Sequence, residues 1–76
     1  MKRSQKVRIM ANSDALCNAV IERGMTTREV AELTGISKAR VIDLLHEDRP
    51  IRYVTAARLR KNFGADVIRL VNSAMA

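Results

Sequence analysis

The sequence predicts an all-α, lone-domain fold, a compact bundle of four to five helices behind a basic N-terminal arm. Three observations lead there. The 76 residues suffice for one small domain. Three glycines and a single proline cut the chain into pieces of helical length. Within those pieces apolar residues recur at helical rather than alternating spacing. Residues 1–11 form the arm, and residues 12–76 form the domain proper.

Only the arm invites an extended reading, because Val7 and Ile9 alternate with Lys6 and Arg8. After it, Asn12 or Ser13 can cap a helix over residues 13–23, with Asp14 in its first turn. Leu16, Cys17, Val20 and Ile21 make its apolar stripe, and Gly24 ends it. Thr26 and Glu29 then form a Thr-x-x-Glu capping box, which starts a second helix that turns Val30, Ala31 and Leu33 inward. Gly35 closes that helix by supplying a left-handed residue. Ser37 caps a third helix over residues 38–46, with Val41, Leu44 and Leu45 on its apolar face. Glu47 to Tyr53 reads as a loop, since Pro50 cannot continue a helix and turns Arg49 away from helical geometry. A fourth helix starts near Val54 or Thr55, buries Ala56, Leu59 and Phe63, and stops at Gly64. The last segment, residues 65–75, is helical by composition. Its stripe of Val67, Ile68, Leu70, Val71, Ala74 and Met75 is too wide for one small core, so these residues, Ala74 apart, are expected to line a homodimer interface.

A chain this short buries only roughly 60% of the surface its unfolded form exposes, enough for one modest core but not for a walled substrate cavity as well. Binding is therefore expected over catalysis. The lone Cys17 cannot close an internal disulfide, and no apolar run or leader pattern suggests a membrane or a secretory route. A soluble, cytoplasmic protein follows as the expectation, with no cofactor and no small-molecule ligand.

Charge indicates the partner. The formal net charge is +6, with fourteen Lys and Arg against eight Asp and Glu. Lys2, Arg3, Lys6 and Arg8 in the arm, with Arg49, Arg52, Arg58, Arg60 and Lys61, sum to +9, and the remaining five basic and eight acidic side chains sum to −3. Clustered cations are rewarded by polyphosphates through counterion release.

Two short helices joined by a glycine turn form the pattern of a helix-turn-helix, and residues 27–46, TREVAELTGISKARVIDLLH, have its details. Ala31 is small where the helices would cross, Gly35 occupies the turn, and Val30, Ile36, Val41 and Leu44 face the domain. In this stretch the chain resembles the lambda-repressor-like family of phage repressors and Cro proteins, with the related XRE regulators. The resemblance is close over the motif and loose over residues 14–64. Thr34 departs from it, since many members carry an apolar residue there. The chain is also too short for the separate dimerisation or protease-like domain of larger phage repressors, so autocleavage is not expected. Residues 49–65, RPIRYVTAARLRKNFGA, further resemble the post-motif region of helix-turn-helix antitoxins.

The resemblance implies a sequence-specific regulator, bound to double-stranded DNA as a homodimer, with the third helix in the major groove. Its exposed residues would be Ser37, Lys38, Ala39, Arg40, Ile42, Asp43 and His46. Of these, Lys38 and Arg40 suit guanine O6 and N7, Ala39 or Ile42 a thymine methyl, and Asp43 either cytosine N4 or the orienting of Arg40. Thr26, Thr27 and Arg28 start a helix, where free amides favour phosphate. Arg49, Arg52, Tyr53, Arg58 and Lys61 are further phosphate candidates, as are Lys2, Arg3, Lys6 and Arg8 if the arm follows the minor groove. The antitoxin resemblance implies an alternative in which the chain also binds a toxin partner. Nothing suggests an enzyme or a metal site. Cys17 reads as a small core hydrophobe, His46 lacks a second ligand at suitable spacing, and the pairs Glu29/Glu32 and Glu47/Asp48 lie on short surface stretches.

Overall fold

The computed structural model describes residues 7–72. Strand β1 (Val7–Ala11) leads into helices α1 (Ser13–Glu22), α2 (Thr27–Thr34), α3 (Lys38–His46) and α4 (Tyr53–Phe63). A single 3-10 turn, Ala65–Val67, then delivers the chain into strand β2 (Ile68–Asn72). Among the described residues no helix is long and apolar enough to cross a membrane.

The helices follow their local signals. Asn12 accepts a hydrogen bond from the Ala15 amide at 3.3 Å and starts α1. At α2 both halves of the capping box are made: the Glu29 amide donates to Thr26 Oγ1 at 3.1 Å, and the Thr26 amide to Glu29 Oε1 at 2.8 Å. Gly35 ends α2 at φ 74°, in the left-handed region. Ser37 Oγ accepts from the Arg40 amide at 3.2 Å and starts α3.

The all-α expectation is wrong, and so is the C-terminal helix on which it partly rested. β2 pairs antiparallel with β1, Ile9 opposite Leu70 and Ala11 opposite Ile68. The cause is tertiary. Ile68-Arg69-Leu70 alternates as the arm does, and pairing with β1 satisfies a backbone that composition alone would let coil into a helix. The 47–52 loop joins on the other side of β1. The Ala11 amide donates to the Arg49 carbonyl and the Ile51 amide to the Ile9 carbonyl, each at 2.9 Å, bridging Met10 to Pro50.

The core comprises Ala11, Leu16, Val20, Val30, Ile36, Val41, Leu44, Ile51, Ala56, Leu59 and Val67. Ile21 and Leu33, expected inward, are exposed, because α1 and α2 each turn a narrower face to the core than their apolar stripes allow. Val67 was expected at a dimer surface, yet it is buried within its own fold. Thr34 is buried and satisfied: its hydroxyl donates to the Val30 carbonyl at 2.7 Å and accepts from the Ile36 amide at 3.3 Å.

Candidate nucleic-acid interface

Helix α3 has two characters. Val41 and Leu44 are buried and fix it to the core, whereas Lys38, Ala39, Ile42 and His46 are exposed. Ser37, Ala39, Arg40, Ile42, Asp43 and His46 together line an open hollow of about 480 Å³. Every base-reading candidate except Lys38 is thus brought to one concavity, and Lys38 begins the same helix.

The side chains of this hollow differ in freedom. Ser37 caps the helix. His46 Nδ1 lies 2.8 Å from the Ile42 carbonyl, and since a carbonyl only accepts, Nδ1 carries the proton in this contact. Lys38 makes no ion pair among the described residues. Arg40 is held twice: Nη1 lies 3.4 Å from Asp43 Oδ2, and Nη2 donates to the Pro50 carbonyl at 3.0 Å. The other Asp43 oxygen, Oδ1, is 3.2 Å from Arg49 Nη2, which also meets Glu47 Oε2 at 3.1 Å. Arg49 Nε is buried without a partner. Two arginines and two carboxylates thus form one chain of contacts at the C-terminal side of α3.

The backbone-contact candidates are more scattered. Thr26 and Arg28 are exposed at the start of α2, where Arg28 pairs loosely with Glu32 at 3.6 Å. Thr27 is half-buried. Arg58 reaches from α4 to the motif's turn, its Nη1 3.4 Å from the Gly35 carbonyl. Arg8, Arg52, Tyr53, Arg60 and Lys61 are exposed. Lys2, Arg3, Lys6 and Met75 lie outside the described residues.

Asp48, one of a carboxylate pair on a short surface stretch, has a structural task. Its Oδ1 accepts from the Ser13 amide at 2.9 Å and from the Ser13 hydroxyl at 3.0 Å, and its Oδ2 pairs with Arg69 at 3.2 Å. The Ser13 amide and hydroxyl, then the Arg69 charge, hold its carboxyl below the ordinary value of 3.8 against an opposing desolvation. It fastens the start of α1 and strand β2 to the loop behind α3. No signal in the sequence could have found it, because Ser13 is 35 residues away.

On the opposite side, β2 has no second strand partner among the described residues. The sheet face carrying Ile9, Ile68 and Leu70 forms, with Tyr53, Ala56, Ala57 and Arg60 of α4, a largely apolar groove of about 410 Å³. Leu70 is exposed there, while Ile68 and Val71 are half-buried. Among the described residues no three His, Cys, Asp or Glu side chains gather as a metal site requires. Compared with known protein families, curated proteins and solved structures, the chain matches none.

Proposed function

We propose that this chain is a transcriptional regulator of the phage repressor type, a member of the lambda-repressor-like family it resembles, acting in the cytoplasm on duplex DNA. The observation that carries this reading is the two-sided α3, buried at Val41 and Leu44 and open along Lys38, Ala39, Ile42 and His46. A helix is about 10–12 Å across with its side chains, and the major groove is about 12 Å wide. Lys38 is the best-placed donor to guanine, Ala39 and Ile42 suit a thymine methyl, and Arg58 and Lys61 supply phosphate contacts. A homodimer would join through β2, whose free edge and neighbouring Leu70 replace the C-terminal helix first expected there. Two α3 helices would then sit about one DNA turn, roughly 34 Å, apart.

Selection of duplexes from a random pool tests the reading. A near-palindromic sequence should be enriched, with Lys38→Ala relaxing preference at one base pair for ~1–3 kcal/mol. Arg58→Ala should weaken all sequences alike and flatten the salt slope by about one. A pool that yields no preferred sequence overturns it. The antitoxin alternative is favoured by one observation, the exposed Tyr53, Val54 and Leu70 around the α4 groove, a surface a protein partner could cover. Under that alternative the chain forms a stable complex with the product of an adjacent reading frame, and Val54→Asp weakens that complex.

A further inference from the structure

We infer that Asp43 is a positioning residue that sets selectivity, by holding Arg40 and Arg49 away from indiscriminate phosphate contact. The inference rests on the DNA-binding reading above and deepens it. Its basis is the contact chain behind α3. Asp43 sits three residues after Arg40 on the same helix face, and its two oxygens reach different arginines: Oδ2 to Arg40 Nη1 at 3.4 Å and Oδ1 to Arg49 Nη2 at 3.2 Å. The Pro50 carbonyl takes Arg40 Nη2 at 3.0 Å, and Glu47 takes Arg49 Nη2 at 3.1 Å. With Glu47 included, the formal charge of the cluster is zero.

The consequence for binding is electrostatic. An arginine with no internal partner on a DNA-facing helix binds any phosphate within reach, and each such contact adds to affinity without regard to sequence. Here both guanidinium groups are turned to internal acceptors. The hollow therefore presents a charge-neutral cluster beside the readers instead of two mobile cations. On random DNA such a cluster offers phosphates no net attraction, and its Asp43 oxygens meet base acceptors unfavourably. Only a sequence with a donor at that place, such as cytosine N4, meets them favourably. Asp43 thus acts mainly by weakening wrong complexes.

The test measures affinity for a random-sequence duplex and for the selected duplex, between about 50 and 200 mM salt, for the wild type and three variants. Asp43→Asn should tighten random-sequence binding about fivefold near 0.1 M salt, steepen the salt slope by about one, and lower the selectivity ratio by a similar factor or more. Adding Arg40→Ala to Asp43→Asn should restore the shallower slope, which a merely structural role for Asp43 would not do. Arg40→Ala alone should flatten the random-duplex slope by much less than Arg58→Ala does, because the cation it removes is already paired; this arm holds even if Asp43→Asn folds poorly. A slope that drops by about one in Arg40→Ala overturns the inference. So does an Asp43→Asn variant that loses preference at one base pair with no gain on random DNA, since Asp43 would then be only a base reader. A wild type that binds neither duplex removes the DNA-binding reading itself, a separate outcome from either of these.

Discussion

The motif end of the molecule and its sheet end are held together by different means. From Thr26 to His46 most hydrogen bonds join near neighbours: Thr26 with Glu29, Val30 with Thr34, Ser37 with Arg40, Ile42 with His46. At the sheet end partners come from opposite ends of the chain. Ile9 meets Leu70, the Ala11 amide meets the Arg49 carbonyl, and Ser13 meets Asp48. Local hydrogen bonds set where α2 and α3 start and stop, while their packing depends on α1 and α4. Long-range ones make the sheet a clasp that exists only once the whole chain has folded.

Helix α4 packs on α2 and on both strands, so its core residue should break both ends together. Leu59 is 1% exposed, and Leu59→Ala should lower stability by ~3 kcal/mol, with helix and sheet signals lost in a single urea transition. Separate transitions would mean that the two ends are less coupled than the packing implies.

Gly35→Ala should act on the motif end alone. A side chain at φ 74° costs about 1–2 kcal/mol, and the new Cβ would lie 3.0 Å from Arg58 Nη1, which must swing aside. Amide exchange should quicken in α2 and α3 while β1 keeps its protection.

Asp48→Asn should act on the clasp alone and by less, ~1 kcal/mol near neutral pH. The pH dependence fixes the sign. Asp48 has a lower pKa folded than the ordinary 3.8, so its contribution is complete above that value and lost as pH falls through the folded pKa. Melting curves of wild type and variant should therefore differ at pH 7 and begin to converge only as pH falls below 3.8. A difference that persists in acid would show that shape rather than charge matters there.

The same contrast explains what was legible in the residues. The capping box, the turn glycine and the Ser37 cap are local chemistry, so all four helices could be placed within a residue or two. β2 could not, because Ile68 to Val71 are apolar enough for a helix and their partner lies at the other end of the chain. At the candidate interface Ala39, Arg40, Ile42, Asp43 and His46 line one hollow, on the side of the third helix that the resemblance implied would be exposed. The pairing of Arg40 with Asp43 is one of the two roles open to Asp43 from the resemblance, but the hold of the Pro50 carbonyl on Arg40 was not legible, since Pro50 lies beyond the helix in a loop whose path is set by its bridge to β1.

Titration of isotope-labelled protein with the selected duplex, followed by amide chemical shifts, sets the two ends directly against each other. The largest changes should fall on residues 37–46 and 26–28, with the α4 groove at Ile9, Ala56 and Ile68 unaffected by DNA beyond any change caused by self-association. Changes centred on that groove, with α3 silent, would contradict the assignment of α3 as the DNA-reading element.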